Sequence, residues 1–143
     1  MKTIIPLNIA KIDNDGFHLF INVTINRKKV NVVIDTGASQ SAFDEDKIAE
    51  IISKKNKIND LDKLSTGLGS NTLSVKTTVL KSLKVGKLSL INYNAIVLDM
   101  SHINSSYEKI NMPHITGVIG GDILFNYNAV IDYKNKKLIL EDI

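Results

Sequence analysis

Residues Phe17–Ile25 alternate apolar and polar side chains and are rich in β-branched and aromatic types, the pattern of a strand with one buried face. After the polar Asn26-Arg27-Lys28-Lys29, residues 30–34 resume as a nearly continuous apolar run. The pair reads as a hairpin feeding a buried strand. That strand stops at Asp35-Thr36-Gly37, a turn sequence, so a carboxylate is expected at the end of a rigid element.

Further along, Ser41-Ala42-Phe43-Asp44 has the Ser-x-x-acid spacing of a capping box, and Ile48, Ile51 and Ile52 follow at helical spacing. A short helix is predicted over 44–54. Residues 73–79 and 83–97 alternate or run apolar and predict further strands, with Gly86-Lys87 and Asn92-Tyr93-Asn94 as breaks. Between 99 and 113, Ile103, Tyr107 and Ile110 would share one face of a helical turn or two, in a polar background that reads equally as a loop. Residues 116–119 form another apolar strand, stopped by Gly120-Gly121-Asp122. Ile123, Leu124 and Tyr127 then suit a short helix capped by Asp122. Residues 129–133 and 137–140 flank Lys134-Asn135-Lys136 as a terminal hairpin. A plan of strand, glycine turn and helix occurs over 30–54 and again over 116–128, which hints at a duplicated half-domain. The expected chain is mainly β with one or two short helices.

Composition narrows the function classes. With 143 residues, 43% apolar and 23% charged, the sequence predicts a single soluble domain spanning 1–143. It contains no cysteine, so disulfides and thiolate metal sites are excluded. No apolar run approaches the roughly 20 residues that cross a bilayer, and residues 1–10 lack the features of a signal peptide. The expectation is no membrane partner and a cytoplasmic protein, or a periplasmic or exported one if a leader has been removed. The net charge of +3 is scattered over small lysine groups and aromatics are only 6%, which argues against a nucleic-acid footprint. His18, His102 and His114 have no ligand spacing, so no metal and no cofactor are expected.

Two motifs carry a family resemblance. The first is Val32-Val33-Ile34-Asp35-Thr36-Gly37-Ala38-Ser39; the second, about eighty residues later, is Val118-Ile119-Gly120-Gly121-Asp122-Ile123-Leu124. In order and flanks they resemble the retropepsin-like aspartic peptidases, specifically the small single-domain forms encoded in bacterial genomes. The resemblance implies an all-β, acid-protease closed barrel in which the second motif crosses behind the active-site loop. It implies Asp35 as the catalytic residue, with Thr36, Gly37, Ala38, Ser39, Ile119 and Gly120 supporting its loop. It also implies a glycine-containing flap over the site, for which Gly67, Leu68 and Gly69 are in the right place.

The chemistry agrees. Hydrolysing a peptide without metal or covalent intermediate needs one carboxylate to take a proton from water and another carboxyl to give one to the substrate. Two carboxyls at hydrogen-bonding range share a proton. This chain offers one Asp-Thr-Gly; Asp99 and Asp132 also follow apolar strands but lack the Thr-Gly turn. The second carboxyl is therefore expected from Asp35 of a second copy, giving a homodimeric endopeptidase acting on extended polypeptides. Where family members hold Ser or Thr at the position of Ala38, the hydroxyl favours the ionised pair, so a milder acidic optimum is implied here. The rival reading is a catalytically silent peptide-binding or scaffold module that keeps the barrel, since a fold alone does not give a function.

Overall fold

The computed structural model describes residues 1–12, 14, 16–52, 57–60 and 75–142. The chain opens with two short strands that the hydropathy pattern did not single out, β1 (Lys2–Pro6) and β2 (Asn8–Lys11). The first predicted hairpin follows as β3 (Phe17–Ile25) and β4 (Lys28–Ile34). Its turn is tighter than expected. Ile25 pairs with Lys28, so only Asn26 and Arg27 form the loop, with φ of 46° and 72°. Positive φ at both central positions is the turn geometry whose twist matches the flanking strands.

Beyond the active-site loop lie β5 (Ala42–Asp44) and α1 (Glu45–Ile51), then β6 (Asn59–Asp60). The capping-box reading is corrected here. Asp44, not Ser41, caps α1: its Oδ2 accepts from Lys47 N at 3.1 Å, while Ser41 stands before a three-residue strand. A long hairpin comes next, β7 (Lys76–Val85) and β8 (Leu88–Leu98), turning at Gly86-Lys87 as predicted. Asn92-Tyr93-Asn94 does not break β8. Asn92 takes φ 52°, yet the register runs through it from Leu80↔Tyr93 to Ser82↔Ile91.

The ambiguous segment forms α2 (Ser101–Lys109). Its inward stripe is Met100, Asn104 and Tyr107, spaced i, i+4, i+7, whereas Ile103 and Ile110 are exposed. The expected Ile103–Tyr107–Ile110 face is thus wrong, because a polar residue occupies the buried centre. Asn104 is accommodated there by two hydrogen bonds to one residue: Oδ1 accepts from Ile115 N at 2.7 Å and Nδ2 donates to Ile115 O at 3.1 Å. The chain ends with β9 (Gly117–Ile119), α3 (Gly121–Asn126) and the hairpin β10 (Val130–Asp132) and β11 (Lys137–Glu141). Asp122 lies inside α3, and the cap position is Gly120, which corrects the second capping assignment.

Six strands close into a barrel in the order β3-β4-β9-β5-β8-β7, sealed by the pairing of β3 with β7 at Thr24↔Lys84 and Ile25↔Leu83. A separate sheet, β1-β11-β10, packs Ile5, Leu138 and Leu140 onto the same core. Inside the barrel lie Ile21, Val23, Ile25, Val32, Ile34, Phe43, Leu80, Leu83 and Ile119. A second apolar cluster, Phe20, Ala42, Met100, Tyr107 and Ile115, sits under α2, with Val33 packed against it. β4 therefore has apolar neighbours on both faces. That is why its sequence reads as a continuous run rather than an alternation.

Candidate active site

Asp35 follows the last residue of β4. Its backbone N–H donates to Ile119 O at 3.0 Å, extending the parallel β4–β9 ladder of Val32↔Gly117, Val33↔Val118 and Ile34↔Ile119 by one bond. β9 in turn pairs antiparallel with β5, so the second motif lies between the strand that enters the loop and the strand that leaves it. Residues 35–41 are pinned from behind. Gly121 N donates to Ala38 O at 2.7 Å, and Asp122 N donates to Ser39 O at 3.0 Å.

The approach is too close for any side chain at position 120. A Cβ on Gly120 would lie 2.6 Å from Ala38 O and 3.0 Å from Gln40 O. Because Gly120 has φ −114°, glycine is required by proximity and not by backbone conformation. At the front of the loop, Gly37 N donates to Asp35 Oδ1 at 2.9 Å and Ala38 N to Asp35 O at 3.2 Å. Asp35, Thr36 and Gly37 are exposed, and Ala38 is half-buried.

A polar clamp completes the support. The buried Ser41 hydroxyl donates to Asp122 Oδ1 at 2.7 Å and accepts from Gly120 N at 2.9 Å; Ser41 N also donates to Asp122 Oδ1, at 2.8 Å. Tyr93 OH donates to the other carboxylate oxygen at 3.2 Å. Burial pushes the Tyr93 phenol well above its ordinary pKa, and the neighbouring Asp122 charge and hydrogen bond add to the shift. The loop, β8 and α3 are thus joined through one carboxylate.

In front of Asp35 opens a cavity of about 570 Å³. Asp35 and Thr36 line it together with His18 of β3, Ile103 and Tyr107 of α2, and Tyr133 beyond β10. His18 Nδ1 and Tyr107 OH are hydrogen-bonded at 2.9 Å. Burial raises the Tyr107 phenol, and the negative charge of Asp35 raises it further. Among the described residues Asp35 is the only carboxylate lining the cavity. Asp99 and Asp132 are engaged in local turns, accepting from Ser101 N and from Asn135 N at 2.9 Å each. Those backbone bonds hold both carboxyls below their ordinary pKa.

Asp35, Thr36, Gly37, Ala38, Ser39, Ile119 and Gly120 are therefore brought together at one place. Gly67, Leu68 and Gly69 lie outside the described residues. Sequence reasoning missed Ser41, Tyr93, His18 and Tyr107 as parts of the site and read Asp122 only as a cap. The one signal for Asp122 was its place next to the Gly120-Gly121 pair.

A closed six-stranded barrel with an Asp-Thr-Gly loop braced by a glycine strand defines an acid-protease architecture. The family model described as aspartyl protease matches residues 21–123, most of the chain, with the first motif whole and the second as far as Ile123, and the protein belongs to that family. Among solved structures, a retropepsin-like aspartic protease from Rickettsia conorii is similar with a TM-score of 0.54 and 24% identity, over 98% of this chain and 90% of that one. The retroviral protease-like domain of Ddi1 from Leishmania major is similar with a TM-score of 0.54 and 15% identity, over 88% of this chain and 90% of that one. EIAV protease, in complex with the inhibitor HBY-793, gives 0.56 and 19%, over 86% of this chain and 99% of the other. These likenesses establish the retropepsin-like fold. A search of curated proteins returned no match.

Proposed function

We propose that the protein is an aspartic endopeptidase whose active site forms between two copies of the chain, each contributing Asp35. The observation that carries this reading is a single exposed carboxylate on a braced loop, in a cavity lined by no second carboxylate among the described residues. Family membership supports peptide hydrolysis as the chemistry. General acid–base hydrolysis needs two carboxyls, and a two-fold axis beside the exposed loop supplies the second without any further motif. One Asp35 would hold a proton for the substrate carbonyl while the other takes one from water. Backbone bracing from 119–122 keeps each carboxylate in place as charge moves, the arrangement that electrostatic preorganisation requires.

The test is half-site mixing. Asp35→Asn protein should fold and be inactive against a peptide library. Equal amounts of wild type and variant, allowed to exchange subunits, leave about a quarter of dimers fully wild type. Activity per wild-type chain should then fall to about half. Unchanged activity per wild-type chain, under conditions where exchange is shown independently, would mean that the chain works alone.

A further inference from the structure

On the outer face of the barrel, away from Asp35, two lysines flank one hydroxyl. Thr24 of β3 lies directly opposite Lys29 of β4 in one antiparallel ladder and directly opposite Lys84 of β7 in another. Residues opposite one another share a face and stand about 5 Å apart at Cβ, so the row sets the two lysine stems about 10 Å apart with Thr24 between them. The face is outward, because the neighbours of Thr24 along β3, Val23 and Ile25, point into the core. Neither lysine has an ion-pair partner among the described residues.

The row borders a cavity of about 430 Å³ that no carboxylate lines among the described residues. Ile4, Ile5 and Pro6 of β1 line it and no residue of β11 does, so the cavity lies along the edge of β1 that has no strand neighbour. The bonds from Asp142 N to Met1 O and from Leu7 N to Lys136 O fix the alternation of the β1–β11 ladder: odd-numbered residues of β1 turn toward β11 and even-numbered ones away. Ile4 therefore presents its N–H to the open edge, and its side chain is 54% exposed. The edge is held where it is by the β7–β8 turn, whose Lys87 N donates to Thr3 Oγ1 at 2.9 Å. This cavity shares no lining residue with the one at Asp35. Lys29 and Asp35 stand at opposite ends of β4, about 20 Å apart at the rise of an extended chain.

We propose that this cavity is a second binding site, for a phosphomonoester that carries an organic group. Its oxygens are held between Lys29 and Lys84 over the Thr24 hydroxyl, and its organic part lies against Ile4 and Pro6. Two ammonium groups facing each other across a hydroxyl present donors from three directions, which the three terminal oxygens and nearly double charge of a phosphate group satisfy together. A carboxylate has one charge and two coplanar oxygens, and leaves one of the three unmatched. The apolar wall adds what inorganic phosphate cannot use, since covering Ile4 removes its exposed surface from water. The same chemistry is offered by a soluble phosphomonoester and by the headgroup of a phosphatidic acid.

Calorimetric titration at low ionic strength tests the site, with phenyl phosphate, inorganic phosphate and benzoate as probes. Phenyl phosphate should saturate the protein and the other two should bind more weakly. Lys29→Gln and Lys84→Gln should each weaken phenyl phosphate about fivefold, the upper scale of one exposed ion pair, and Thr24→Val should weaken it less. Ile4→Ala should weaken phenyl phosphate and leave inorganic phosphate within about twofold. Lys109→Gln, at an exposed lysine of α2 that lines neither cavity, should change nothing and controls for general charge attraction. All of these side chains are exposed or half-buried, and melting temperatures check that each variant is folded. Sedimentation with phosphatidylcholine vesicles, with and without phosphatidic acid, separates the two sources. Retention only with phosphatidic acid, lost when both Lys29 and Lys84 are replaced by Gln, assigns a lipid headgroup; saturation by phenyl phosphate without retention assigns a soluble phosphomonoester. The proposal is overturned if phenyl phosphate shows no saturable binding, if benzoate binds as tightly, or if Lys109→Gln weakens binding as much as Lys84→Gln. None of these readouts depends on peptide cleavage, so the site stands or falls apart from the peptidase reading.

Discussion

Ser41→Ala tests the clamp behind the catalytic loop. The substitution removes one oxygen, yet that oxygen makes two hydrogen bonds in a buried setting: it donates to Asp122 Oδ1 at 2.7 Å and accepts from Gly120 N at 2.9 Å. Losing the first takes a donor from a carboxylate, worth about 1.5–3 kcal/mol. Losing the second orphans a buried backbone N–H, which costs about 1–3 kcal/mol. Position 120 has no room to move toward another acceptor, since the backbone of Ala38 and Gln40 already crowds it. The two losses share a network and do not simply add, so a destabilisation of about 3 kcal/mol is expected.

Urea unfolding at fixed protein concentration measures it, with the midpoint falling and the slope unchanged. Ser39→Ala is the internal control. Ser39 belongs to the visible motif but is exposed and contributes its carbonyl to the bracing, so its loss should stay within about 0.5 kcal/mol. A double cycle with Asp122→Asn should show a coupling of about 1–2 kcal/mol. A Ser41→Ala cost below about 1 kcal/mol, or additive behaviour with Asp122→Asn, refutes the clamp.

Two further predictions follow from the same framework. Gly120→Ala should destabilise by about 2–3 kcal/mol and depress kcat more than the stability loss explains, because relief of a 2.6 Å contact with Ala38 O must displace the loop that carries Asp35; an active variant of unchanged melting temperature contradicts this. Burial raises the Tyr93 phenol above its ordinary value of 10.0, so the folded state keeps a proton that the unfolded chain gives up. The stability from neutral Tyr93 is then fully present below about pH 10 and lost as pH rises beyond it, and Tyr93→Phe should lose less stability than wild type between about pH 9 and 11 in paired melts.

What the sequence disclosed was local. The β3–β4 hairpin, the Gly86-Lys87 turn, the stop at Asp35 and the terminal hairpin all rest on period-two patterns and turn residues a few positions apart. What it hid was polar and distant. Ser41 sits where a capping box would put it, but its partner Asp122 is 81 positions away, and local spacing supplied a plausible wrong answer for both residues. His18 and Tyr107 are separated by 89 positions. The stripe of α2 was illegible because Asn104 fills its centre, and only Ile115, eleven residues on, makes that burial tolerable. β5 is three residues long, too short for a period to emerge.

The recurring plan of strand, glycine turn and helix acquires a physical meaning in three dimensions. The two units do not lie side by side: β9 of the second is inserted between β4 and β5 of the first, parallel to one and antiparallel to the other. In that position the second unit has to offer backbone and no bulk. Ile119 gives a carbonyl to Asp35, Gly121 and Asp122 give N–H groups to the loop, and Gly120 gives the absence of a Cβ. A side chain at position 120 would have to stand where Ala38 and Gln40 already press. The second unit therefore meets the Asp35 loop at position 120 with backbone alone, and the bracing of that loop depends on the missing side chain there as much as on the hydrogen bonds made on either side of it.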